Sequence, residues 1–127
     1  MNVTEKKLFD LASPYDVVVV RQHAREVARG MGFGLTDQTR IATAVSEVAR
    51  RALENQGRIT FAVISDGTRQ GVECLCEGAV WSEPPGGTPP GEFLGGLRGI
   101  ERLMDEFELR DQRDGPVVRM RKWLRLA

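Results

Sequence analysis

Few side chains in this sequence can do chemistry, and their spacing narrows the options. His23 is the only histidine. With no second histidine and no suitable carboxylate pattern, it argues against a histidine-rich metal site and against a Ser-His-Asp hydrolase. Cys74 and Cys76 stand two apart, on one face if the segment is a strand, and no other Cys or His completes a zinc set. They read as small half-buried apolar side chains in a reducing compartment. Glu47 and Arg51 have the i,i+4 spacing of a helical ion pair. Arg21, Arg25, Arg40 and Arg50 could form a basic surface for an acidic partner or simply solvate helix faces. Arg98 opens a helix, an unfavourable place for a cation unless an anion lies nearby. Arg119, Arg121 and Lys122 could be the wet side of an edge strand or a protein-docking cluster. Trp81, beside a proline-rich stretch, could pack in the core, plug a cavity or anchor a partner.

These residues need elements to position them. A chain of 127 residues suits one domain, taken as 1–127. With 41% hydrophobic and 28% charged residues, wholesale disorder is excluded. Eighteen Lys+Arg balance eighteen Asp+Glu, which disfavours a basic nucleic-acid binder. No apolar run approaches the roughly 20 residues that span a bilayer, and no signal-peptide stretch follows Met1–Lys7. The expectation is a soluble cytoplasmic protein with no nucleic-acid or membrane partner.

Ser13-Pro14-Tyr15-Asp16 reads as a helix start, with Ser13 as cap. Val17, Val20, Ala24, Val27, Ala28 and Met31 follow at helical spacing, and Gly32 can end the helix. Before it, Leu8, Phe9 and Leu11 could form a short edge strand. A second helix is expected from a Thr36 cap, with Ile41, Ala44, Val45, Val48, Ala49 and Ala52 as its apolar stripe. Ile59 to Ile64 and Val72 to Cys76 read as strands around an Asp66-Gly67 turn. Four prolines in the segment 83–91 exclude a regular helix or a central strand there, so it reads as a lid-like loop. Leu97, Ile100, Leu103, Met104 and Phe107 then suggest a third helix, and Val117 to Trp123 a terminal strand. The order, roughly β-α-α-β-β-loop-α-β-β, predicts an α+β two-layer sandwich. Its sheet is expected to be mixed, mostly antiparallel, with helices on one face.

Three stretches together resemble one family. They are Val20-Arg21-Gln22-His23-Ala24-Arg25 with Gly32-Phe33, the run Asp37 to Arg50 containing Val45-Ser46-Glu47-Val48-Ala49-Arg50, and Gly96-Leu97-Arg98-Gly99-Ile100-Glu101-Arg102-Leu103-Met104-Asp105-Glu106-Phe107. Lys122-Trp123 resembles the family's closing strand. In this combination the chain resembles the RsbT-type switch serine kinases of bacterial stress signalling and the related anti-sigma-factor kinases, GHKL ATPases of the Bergerat fold. The resemblance implies a nucleotide held between helices and sheet under a lid. It also implies that Glu47 matches the family's general base, since a carboxylate on a rigid helix can reach the hydroxyl to be activated.

The same resemblance exposes departures. The family's magnesium-ligating Asn, four residues after the Glu, is Arg51 here, and a guanidinium has no acceptor for a metal. The strand-end Asp-x-Gly-x-Gly corresponds to Cys76-Glu77-Gly78-Ala79-Val80, so a thiol replaces the carboxylate that accepts the adenine amino group. Losing such a charged hydrogen bond costs about 1.5–3 kcal/mol, roughly ten- to a hundredfold in affinity. Gly96 and Gly99 match the phosphate-binding helix start, but Glu92-Phe93-Leu94 replaces the preceding Gly-x-Gly. Three failures at about 1.5 kcal/mol each exceed roughly a thousandfold. No cofactor is therefore expected, although the resemblance implies Mg-ATP; Arg51 touching phosphates without metal is the variant of that idea. The expected function is partner switching by a pseudokinase-like protein, with partner contacts at Arg21, Arg25, Arg98 and Trp81. Its partner would be a STAS-domain antagonist, a scaffold protein or a phosphatase activator, and a homodimer is compatible. The alternative is an active serine kinase acting on a STAS domain.

Overall fold

The computed structural model describes residues 1–79, 97–113 and 115–125. The segment 83–91, Trp81 and Gly96 lie outside the described residues, as does the side chain of Arg98.

The chain opens with β1 (Asn2–Asp10), longer than the expected edge strand and antiparallel to β2 (Arg58–Ser65). A bulge between Thr4 and Lys7, with Glu5 at φ 49°, breaks its register. Phe9 is its only buried residue, so alternation of apolar residues had little to report at the start of the chain. Helix α1 (Pro14–Met31) begins as the sequence predicts. The Asp16 carboxylate accepts the N–H groups of Ala12 and Ser13, both at 2.9 Å, which satisfies donors that the first turn leaves open. Gly32 ends the helix at φ 98°, and its N–H donates to the Arg29 carbonyl.

Helix α2 (Leu35–Leu53) starts earlier than the expected Thr36 cap. Gly34 is the N-cap, and the Gln38 side-chain amide donates to the Phe33 carbonyl at 2.7 Å. A glutamine reaching back thus holds the chain entering the helix, and Thr36 falls inside the first turn. Strand β3 (Gln70–Glu77) returns antiparallel to β2. The third helix is the larger correction. Helix α3 spans only Leu97–Glu101, and Phe107 belongs to strand β4 (Glu106–Gln112). The apolar spacing of Leu103, Met104 and Phe107 looked helical, but Asp105 pairs its N–H with the Arg121 carbonyl and starts a hairpin instead. Strand β5 (Gly115–Trp123) closes the sheet.

The strand order is β1-β2-β3-β5-β4, and all four pairings are antiparallel. The parallel component expected of a mixed sheet is absent among the described residues. Register places Ile59 beside Cys76, Phe61 beside Cys74 and Cys74 beside Met120, all on the face covered by the helices. There they meet Val20, Ala24 and Ala28 of α1 and Val45, Val48, Ala49 and Ala52 of α2. The alanines let the helices approach the sheet closely. On the opposite face Arg121 pairs with Glu73 at 2.7 Å, and the Arg69 guanidinium stacks 3.8 Å from the Trp123 ring centre.

His23 sits in the inner layer, tilted 5.2 Å from the Phe9 ring and edge-on 5.8 Å from Phe61, with Nε2 buried and without a hydrogen-bond partner. Burial pushes its pKa below the ordinary value; Lys7 adds to the shift, while Glu26 and Glu5 oppose it. Below about pH 6.5 the unfolded chain therefore binds a proton that the folded chain refuses, so stability falls with pH until the folded histidine also titrates. Urea midpoints at pH 7.5 and 5.5 should show this loss in the wild type, and His23→Phe should remove most of it. An unchanged slope in the variant would assign the effect to other groups.

Candidate functional site

Helix α2 carries the candidate base on the rim of its buried stripe. Val45, Val48 and Ala49 face the sheet, which leaves Glu47 partly open at 24% side-chain exposure. Its carboxylate pairs with Arg50 at 2.9 Å, three residues on. Helical rotation allows i,i+3 as well as i,i+4 pairs. Arg50 is exposed, and Arg51 is half-buried. Burial lowers the Arg51 pKa, and Glu47 and Glu54 partly offset that cost. A cation thus lies in the field of two carboxylates at the position where the family pattern has a metal ligand.

Beneath α2, Cys76 is fully buried on β3, and its thiol donates to the Val48 carbonyl at 3.6 Å. Burial, with Glu77 adding, pushes its pKa up to about 12, so it stays a neutral S–H. Cys74 is likewise buried, with its pKa raised by burial first and then by Cys76 and Glu73. Both thiols are therefore inert toward metals and oxidants, as the sequence suggests. Glu77 is exposed at the next position, consistent with strand alternation aiming it at the opposite face.

Gly78 turns the chain at φ 93°, donates its N–H to the Pro116 carbonyl at 3.1 Å and accepts from the Asn55 side chain at 2.9 Å. A Cβ there would meet Gly57 Cα at 3.1 Å. Backbone geometry alone thus accounts for this glycine, and its retention carries no information about nucleotide. Gly99 is exposed on α3.

The reading of Arg119, Arg121 and Lys122 as the wet side of an edge strand is corrected: β5 lies between β3 and β4, and Lys122 is buried in a second cluster. Lys122, only 6% exposed in its side chain, donates to the Leu103 carbonyl at 3.0 Å and lies 3.4 Å from Asp105 and 3.8 Å from Asp37. One ammonium thereby ties β5 to the first turn of α2 and to the turn after α3. Burial would raise the Asp105 pKa, but the Trp123 N–H, Lys122 and Arg125 together hold it below its ordinary value. The only sequence signal was a lysine in the inward register of a strand.

The family follows from a comparison with known proteins. The chain is 34% identical over 125 residues to the serine/threonine-protein kinase RsbT of Bacillus subtilis, covering 91% of this chain and 94% of that one. This chain belongs to the RsbT-type family. No family model matches it. A crystal structure of the RsbU and RsbW domains of a Mycobacterium tuberculosis protein superposes with a TM-score of 0.65 at 20% identity. That match covers 98% of this chain and 34% of the other, and it establishes the fold. Within the RsbT-type fold, Glu47, Arg51 and Cys76 occupy adjoining parts of α2 and β3, whereas Arg21 and Arg25 lie on α1. No helix among the described residues is long and apolar enough to cross a membrane.

Proposed function

We propose that this RsbT-type chain is a cytoplasmic partner-switching regulator that works by binding protein rather than by ordinary Mg-ATP chemistry. The observation that carries this reading is Cys76. At the position where an adenine-binding carboxylate is expected, a neutral thiol is buried and engaged with the Val48 carbonyl. Arg51 supports it, because a guanidinium offers no lone pair to magnesium. The partner proposed is a STAS-domain antagonist, a scaffold protein or a phosphatase activator. Arg21, Arg25, Arg98 and Trp81 are the proposed partner contacts.

Melting with and without millimolar Mg-ATP tests this directly. Binding at a hundred times Kd adds about 2.7 kcal/mol, which is on the order of 10 °C for a chain of this size. The expected result is no magnesium-dependent rise, and a rise of that order would overturn the reading. One observation favours the alternative of an active serine kinase. Glu47 is retained, and the Arg50 side chain it pairs with is 63% exposed. An exposed pair of this kind is worth at most about 1 kcal/mol, so Arg50 restrains the carboxylate only weakly. Transfer of labelled phosphate to a STAS domain, abolished by Glu47→Gln, would establish that alternative. Transfer without magnesium would instead support direct contact of Arg51 with phosphate.

A further inference from the structure

The outer face of α1 breaks the rule that solvent-facing helix positions are polar. Tyr15, Val18, Gln22, Arg25 and Arg29 recur every three or four residues and form one stripe along the helix. Tyr15 is 72% exposed and Val18 56%, and Leu35 at the start of α2 adds an apolar side chain at 69%. Single exposed apolar residues are ordinary. Here three border the same surface, and Val18 carries the helix cost of a β-branched residue without repayment from the core.

The relief of this surface is continuous. One concavity of about 330 Å3 is lined by Val18, Arg21, Gln22 and Arg25, and another of about 450 Å3 by residues including Gln22, Arg25, Arg29 and Leu35. Gln22 and Arg25 line both, so the two join into a trough beside α1. Its charge is one-sided. Among the described lining residues, Arg21, Arg25 and Arg29 face a single acidic one, Glu26. None of the three makes an ion pair with a described residue, whereas Arg40, Arg50, Arg58 and Arg69 each hold a carboxylate.

We infer that this trough is the docking site for an acidic amphipathic helix of a partner protein. Apolar anchors of that helix cover Tyr15, Val18 and Leu35, and its carboxylates pair with Arg25 and Arg29. The two arginines are four residues apart, about 6 Å along the axis, which matches carboxylates one turn apart on the incoming helix. Helix-in-groove recognition of this kind draws affinity from the apolar ridge and selectivity from the charges. The inference rests on the reading that this chain acts through protein partners, and it names the surface and the chemistry that surface selects.

The test uses the full chain and two probes. The first is a fluorescent 18-residue helical peptide with a leucine ridge flanked by glutamates, together with its lysine-flanked counterpart. The second is a STAS domain. Anisotropy should show that the wild type binds the acidic peptide and not the basic one. The double variant Arg25→Glu/Arg29→Glu should lose at least tenfold, with an unchanged melting temperature confirming that it folds. Amide shifts in the wild type should fall on residues 15–29 and on Leu35. Equal binding by the variant, shifts elsewhere, or no peptide binding would overturn the inference. A STAS domain bound equally by wild type and variant would overturn the site while sparing the partner-binding reading. Failure of the STAS domain alone, with the peptide behaving as expected, would remove that partner and leave the trough standing.

Discussion

Gly57→Ala should cost about 3–5 kcal/mol and lower the melting temperature by roughly 10–20 °C. Gly57 joins α2 to β2, its N–H donates to the Ala52 carbonyl at 2.9 Å, and its carbonyl accepts from Leu11 at 2.9 Å. A Cβ there would run into the Glu77 carbonyl oxygen and stand 2.8 Å from Ala52 Cβ. Neither can retreat cheaply. One is backbone of a paired strand, and the other belongs to a fully buried residue of α2. Tight interiors answer overpacking with backbone shifts, and here the shift would separate β3 from α2 where Cys76 meets Val48. Gly30→Ala is the matched control, because nothing lies within 4 Å of a Cβ at Gly30. It should be neutral or mildly stabilising. Thermal melts of the two variants check the prediction, and similar melting temperatures would refute the packing argument.

Asp105→Ala should cost about 3 kcal/mol, because it strands the buried Lys122 ammonium. Asp105 also accepts the Trp123 N–H at 2.8 Å and approaches Arg125 at 3.3 Å, so the turn after α3 loses its anchor to β5 at the same time. The Leu103 carbonyl and the more distant Asp37 remain to Lys122, which keeps the cost at the lower end for a broken buried pair. The double variant Asp105→Ala/Lys122→Met should recover most of the loss, since no uncompensated charge stays inside. Chemical denaturation of the two single variants and the double variant gives the coupling. A double variant no more stable than Asp105→Ala would assign the cost to the Trp123 bond instead.

The two helices and the β2–β3 hairpin were legible because their signals are local. Ser13, Pro14 and Asp16 start α1, Gly32 stops it, and the alanine-rich stripe of α2 has the helical period. α3 was overextended because Leu103, Met104 and Phe107 carry a helical spacing that a turn and a strand can also satisfy. What decided between them was the hydrogen bond from Asp105 to Arg121, a partner 16 residues away that no local window contains. β1 was underread for the opposite reason. It is held by ladder bonds at the sheet edge, and only Phe9 is buried, so no apolar pattern announces it.

For the candidate site, the sequence by itself determined which chemical groups are present. A glutamate stands on α2, a guanidinium replaces a metal ligand four residues later, and a thiol stands where a carboxylate is expected. Tertiary structure alone decided what those groups touch. Glu47 took Arg50, the Cys76 thiol turned to the Val48 carbonyl, and Lys122 gathered Leu103, Asp105 and Asp37 around one buried charge. The physical reason is that covalent order and helical period are properties of neighbours along the chain. Burial and charge pairing depend on which distant segments share the core.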